Sequence, residues 1–188
     1  MSTSNTNPRK VVTGVARFSY LHIWKPSAIN EGDTPKYSAT LIIPKSDKAT
    51  VAAINAAIEA AKEEGKSKWG GKIPAKMTSP LRDGDEERPD DEAYVNSWFI
   101  NPKSTTQPGI VDAKANPIMD QDEIYSGAYG RASITAYAYD AKGNKGVAFY
   151  LNHLMLVKHG EPLGGAKTKA EDDFAEFVGE AAEDDMLA

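Results

Sequence analysis

The chain has 188 residues, 40% of them hydrophobic, which is enough for one domain with a real core plus short extensions. It contains no cysteine, so disulfide staples, thiolate metal sites and cysteine nucleophiles are excluded. A net charge of −5 argues at first sight against a polyanionic partner.

That charge is unevenly distributed. From Glu171 to Asp185 there are eight acids, among them Glu171, Asp172, Asp173, Asp184 and Asp185, and no Lys or Arg. The rest of the chain holds 22 basic against 19 acidic residues, a net of +3. A second acidic block, Asp83 to Glu92, sets seven acids against Arg88. Outside the two blocks the body is basic, so the average hides a split that matters for partners.

Residues 1–8 are rich in Ser, Thr and Asn, lack the apolar stretch of a secretory signal, and are expected to be disordered. Lys10 to Trp24 is rich in β-branched and aromatic residues and reads as a long strand bent at Gly14. Lys25–Pro35 is a turn region, and Lys36–Ile43 a second strand ended by Pro44. Ser46 is the expected N-cap of a helix running to about Glu64 and closed by Gly65. Val51, Ile54, Ile58 and Ala61 recur at helical spacing and form its core face.

Residues 66–93 read as one long irregular stretch. Strand character returns at Tyr94–Pro102, briefly at Ile110–Val111, and then in Gly127–Tyr139 and Gly146–Lys158, joined by a hairpin loop at Asp140–Asn144. In the first of these two long strands Arg131, Ser133, Thr135, Tyr137 and Tyr139 share one face, and Ala132, Ile134, Ala136 and Ala138 the other. After Gly160 come a linker and the acidic tail. The expected division is 1–8, a folded domain at 9–160, and linker plus tail at 161–188. The fold class is mainly β, a small Greek-key β-barrel with one α-helix; a half-open sheet backed by the helix is the alternative.

Catalytic signatures are scarce. His22, His153 and His159 have no metal-binding spacing, and neither a P-loop nor a GxSxG motif occurs. A metal-dependent nuclease in which Asp83, Asp85 and Asp90 hold a divalent ion is an alternative; a solvated charged loop is the plainer reading. No cofactor, metal or enzymatic activity is expected. No apolar run approaches the roughly 18 residues of a membrane span, so the expectation is a cytoplasmic protein without a membrane partner.

Sequence-tolerant single-strand binders need cations to replace phosphate counterions and flat side chains on which bases stack. The body interleaves the two types: Arg17 and Tyr20; Lys36 and Tyr37; Trp69, Lys72 and Lys76; Arg82; Trp98, Phe99 and Lys103; Tyr125, Tyr129 and Arg131; Tyr137, Tyr139, Lys142 and Lys145. The Arg131–Tyr139 face reads either as a stacking platform or as an ordinary polar outer face. Trp24, Phe99 and Phe149 read more readily as core. The tail, with Phe174, Phe177 and Val178 among its acids, cannot bury enough surface to fold alone.

Several motifs in one order carry a resemblance. They are Pro80-Leu-Arg-Asp-Gly-Asp85, Phe99-Ile-Asn101, Pro108-Gly-Ile-Val-Asp112, Tyr125-Ser-Gly-Ala-Tyr-Gly-Arg-Ala-Ser133, Gly143-Asn-Lys-Gly-Val-Ala148 and Asn152 to Gly164. Together they resemble a phage-encoded family of single-stranded DNA-binding proteins, from about Arg17 to Gly165. The resemblance implies an OB-fold with an acidic tail, and strand protection in phage replication, recombination or repair in the host cytoplasm; the charge of the tail leads to the expectation that it regulates access to the DNA and recruits replication or recombination proteins. Within the family's motif regions it favours Tyr125, Tyr129, Arg131, Arg82 and Phe99. A phage structural or adaptor protein is the alternative, and a homo-oligomer is compatible with the sequence. Two features depart from the pattern: the helix follows two visible strands instead of three, which a first strand counting twice would reconcile, and the tail ends in Met-Leu-Ala instead of an aromatic residue.

Overall fold

The computed structural model describes residues 7–28, 30–163 and 174–178. Most of the expected disordered ends, including Glu171, Asp172, Asp173, Asp184 and Asp185, lie outside the described residues.

Nine strands form the sheet: β1 (Lys10–Val12), β2 (Ala16–Ser27), β3 (Lys36–Pro44), β4 (Arg82–Asp83), β5 (Ser97–Ile100), β6 (Lys103–Ser104), β7 (Gly109–Val111), β8 (Tyr129–Ala141) and β9 (Asn144–Lys158). Among the described residues two α-helices accompany them, α1 (Lys48–Gly65) and the single turn α2 (Gly84–Glu87). β2 pairs with β3, β3 with β6, β6 with β9, β9 with β8, and β8 again with β2. The ring is closed, all antiparallel except the β6–β9 junction. A closed ring leaves these five strands no free edge, which is the physical merit of a barrel.

The expected first strand is divided. Thr13, Gly14 and Val15 separate β1 from β2, yet both segments pair with β8. Gly14 is required there: a Cβ would stand 2.3 Å from the Asp47 carboxylate and 2.9 Å from Thr50 Oγ1. The ring counts β1 and β2 once, since β1 does not enter it, so α1 lies between its second and third strands and the double count does not move it. The third ring strand is also divided. β5 pairs with β3 at Leu41–Pro44 and β6 pairs with it at Tyr37 and Ser38. Pro102, which has no N–H to donate, stands between them.

The helix begins one residue later than expected. Asp47 is its N-cap, accepting from the Thr50 N–H at 3.2 Å and the Thr50 hydroxyl at 2.6 Å. Ile54, Ala57, Ile58 and Ala61 are buried, chiefly against β8. The alanines of β8 (Ala132, Ala136 and Ala138) keep that face shallow and let the helix close on it. Gly65 belongs to the helix, its α-carbon against Ala138 and Trp69, and the chain is stopped by Gly70 at φ +74°. Phe18, Leu41, Ile43, Ile100, Ile134, Leu151 and Leu154 fill the barrel. Each such aliphatic or aromatic side chain contributes about 1.5–3 kcal/mol by leaving water. The β8–β9 hairpin turns on Lys142 (φ +54°) and Gly143 (φ +85°), the positive pair of a type I′ turn.

Candidate nucleic-acid interface

An open groove of about 710 Å³ runs along the outer face of β2, β3 and the β5–β6 strand. Its aromatic floor is built by Tyr94 and Phe99, edge to face at 5.1 Å and both almost fully buried. They pack with Ile42 on the outside of the barrel, so β3 is apolar on both faces at this point. Arg82 and Arg88 lie over the Phe99 ring, 5.8 and 5.6 Å from its centroid. Glu87 clamps Arg82 through both carboxylate oxygens. Arg88 forms no ion pair among the described residues.

Tyr20 rises from one wall, 61% exposed. It sits at φ +46°, in a register shift of the β2–β3 ladder between Ser19 and His22. A bulky residue in the left-handed region costs energy and marks a constraint imposed for another reason. The Tyr94 hydroxyl bonds the Ser19 side chain beside this bulge, and burial raises the Tyr94 pKa above its ordinary value. Lys36 and Lys103 line the same groove and are exposed. Asn101 and Thr40 join across it at 2.6 Å. The groove thus unites an exposed ring, three cations and an apolar floor.

The other sequence candidates are distributed elsewhere. Arg17 donates to the Gly127 carbonyl at 3.2 Å and to the Glu161 carbonyl at 2.7 Å. Its guanidinium also lies 5.3 Å from the Tyr129 ring centroid, with Lys158 at 4.7 Å from that centroid. Tyr125 donates to the Gly160 carbonyl at 2.9 Å and stacks on His159. These residues hold residues 158–163 against the body, and Leu163 packs beside Tyr94 and Phe99.

Trp69 is a core residue and not a stacking surface. It is 5% exposed, and its indole N–H donates to the Tyr139 carbonyl at 3.0 Å. Lys72 and Lys76 are exposed on the loop after it. Trp98 and Phe99 point to opposite faces as alternation requires, but neither is open: Trp98 is half-buried with Lys45 over its ring at 5.1 Å. Tyr37 is half-buried beside β6, its Cα opposite Ser104.

The two faces of β8 alternate as expected, with Ala132, Ile134, Ala136 and Ala138 buried. On the outer face Tyr137 stacks on Tyr150 of β9, centroids 3.9 Å apart and planes 17° off parallel. Tyr139 lies 6.4 Å from Tyr137. Burial raises the Tyr137 pKa. Arg131 is exposed and donates to the Thr13 carbonyl at 3.2 Å. Lys142 and Lys145 are exposed at the hairpin tip.

The acidic block is engaged structurally. Lys45 forms ion pairs of 2.8 Å with both Asp83 and Asp85. Those bonds to Lys45 hold both carboxyls below the usual range and raise the lysine. Asp83 caps α2 by accepting from the Asp85 N–H, and Asp85 accepts from the Asn96 N–H at 3.0 Å. Asp90 is exposed on the loop beyond α2. Among the described residues no three His, Cys, Asp or Glu side chains gather as a metal site would require. None of the described helices is long and apolar enough to cross a membrane.

The sequence did not point to Arg88, Tyr94 or Tyr150. Arg88 was readable only as the lone cation in an acid run. Tyr150 was readable as an outward residue of β9, once the register with β8 is known.

Comparison with known proteins agrees with this architecture. A sequence profile of the single-stranded DNA-binding protein of Enterobacter phage Enc34 matches residues 9–187. A protein designated p50 from Acyrthosiphon pisum secondary endosymbiont phage 1 is 27% identical over 95% of this chain and 99% of its own length. The structure of the bacteriophage Enc34 single-stranded DNA-binding protein in complex with ssDNA superposes with a TM-score of 0.73 at 27% identity, covering 83% of this chain and 90% of that one. The gp2.5 single-stranded DNA-binding protein of bacteriophage T7 shares the fold, with a TM-score of 0.57 at 18% identity over 89% of this chain and 93% of its own. The fold is OB-like, and the chain belongs to the Enc34 phage single-stranded DNA-binding protein family.

Proposed function

We propose that this protein binds single-stranded DNA with little regard to sequence, and that the groove over β2, β3 and β5–β6 is its seat. The observation that carries the reading is Tyr20, exposed on a strained bulge beside Lys36, Lys103 and Arg88. Bases stack on the tyrosine ring, which every base can do because every base has a π-face. Phosphates replace small counterions at the three cations, so affinity falls as salt rises. The apolar floor of Tyr94 and Phe99 keeps the groove rigid, and no bond is made or broken in the DNA.

Membership of a phage single-strand-binding family supports a role in protecting strands during phage DNA replication, recombination or repair. The eight acids of the tail make it a competitor for the same cations, on a tether that starts beside the groove at Leu163. The same tail recruits replication or recombination proteins. The folded domain ends near residue 160, and the tail acts from 171 onward.

Fluorescence titration of the full chain with oligothymidylate, at low and high salt, tests the reading. Binding that weakens with salt, and tightens when residues 171–188 are removed, is the expected result. Absence of binding at low salt, even without the tail, overturns it.

A further inference from the structure

The groove does not end at Lys103. Strand register carries one row of residues outward around the barrel: His22 faces Ser38, Ser38 faces Lys103, Lys103 faces Tyr150, Tyr150 faces Thr135 and Thr135 faces Lys10. None of the six is buried, while their chain neighbours Ile23, Ala39, Leu151, Ala136 and Val11 are. Adjacent strands are about 4.8 Å apart, so the row spans about 24 Å across six strands. Its first half lines the groove. Its second half crosses the β8–β9 outer face.

Tyr150 stands just beyond the crossing. It is 47% exposed, and one face of its ring is supported by Tyr137. A concave space of about 410 Å³ adjoins it, bounded in part by Ser104, Gln107, Asn152 and His153. A register shift between Ser133 and Ile134 leaves Asn152 as the extra residue of β9, and its amide donates to Thr135 at 2.8 Å. Bulges of this kind re-aim side chains next to binding sites. The arrangement is a ring held flat by a second ring, with room beside it and a lysine before it.

We propose that a strand seated in the groove continues along this row, passes a phosphate over Lys103, and stacks a further base on Tyr150. The barrel then holds DNA in two subsites joined at Lys103, the second having Tyr150 as its stacking surface and Tyr137 as the positioning residue behind it. This rests on the groove being the DNA seat, and the test separates the two.

Full-length protein, wild type and Tyr150→Ala, is titrated with oligothymidylates of about 6 and about 16 nucleotides, within the range one such barrel covers. The substitution weakens the long oligonucleotide ~10-fold, the value of one stacked base, and leaves the short one unchanged. Tyr150→Phe, which keeps the ring, binds like the wild type. Equal weakening of both lengths, or of neither, overturns the second subsite and leaves the groove standing. Failure of the wild type to bind either length overturns the groove instead. Should Tyr150→Ala not fold, photocrosslinking of bromouracil-substituted long oligonucleotide to the wild type decides: adducts on Tyr150 or Tyr137 support the proposal, and adducts confined to the groove contradict it.

Discussion

Two clusters in this molecule are made of the same ingredients and are placed in opposite ways. Arg17, Tyr125, Tyr129 and Lys158 form one; Tyr20, Lys36, Arg88 and Lys103 form the other. In the first, the donors point at backbone carbonyls of Gly127, Gly160 and Glu161, and the rings are covered by cations or by His159. In the second, the ring is exposed and strained and the cations line an open groove. Residue type is common to both. What separates them is whether the chain itself already satisfies the donors and covers the rings.

The largest effect falls in the core, outside both clusters. Trp69→Ala removes a buried ring and its bond to Tyr139, and costs about 3–5 kcal/mol of stability by urea denaturation. Oligothymidylate affinity of the folded protein is expected to stay at the wild-type value. Tyr20→Gly does the reverse. It removes a stacking ring, worth about 1–3 kcal/mol of affinity, while stability rises because glycine accepts positive φ without strain. Arg17→Ala loses two carbonyl bonds, costs about 1 kcal/mol of stability, and leaves the salt dependence of binding alone. Lys36→Ala with Lys103→Ala leaves stability alone and flattens the salt slope by about 0.7 for each lost phosphate contact, as read from titrations at several salt concentrations.

The mildest prediction concerns pH. Asp83 and Asp85 are depressed by Lys45, so their contribution to stability is present above the ordinary carboxylate pKa and is lost as pH falls through their lowered values. Lys45 is raised, so its share is present below the ordinary lysine pKa and is lost only as pH rises beyond it. Thermal melts of Lys45→Met are expected to show less acid dependence below about pH 4 than the wild type. The pairs are partly open to solvent, which screens them, so the difference is small.

Local patterns were legible in the sequence. The stripe of α1 and the two faces of β8 follow from periods that one segment carries by itself. What could not be read depends on residues far apart in the chain. The parallel meeting of Lys103 with Tyr150 closes the barrel and joins the groove to the hairpin face, and no local pattern announces it. Trp69 looked like a stacking ring because lysines and glycines surround it in sequence. In space it meets Gly65 and the Tyr139 carbonyl. Arg17 and Tyr129 read as binding residues from their types alone; their engagement with residues 158–163 depends on chain more than a hundred and twenty positions from Arg17. The first helical cap was missed by one residue because Ser46 and Asp47 are both good caps, and the contact with Thr50 and Gly14 decides between them.

The most direct test of the open groove is an NMR titration of the tail-deleted chain with oligothymidylate, following backbone amides. The account predicts the largest shifts at Tyr20, Lys36, Ser38 and Lys103, with Arg17, Tyr125 and Tyr129 nearly still. Shifts concentrated at Arg17, Tyr125 and Tyr129, with the groove unmoved, would contradict it.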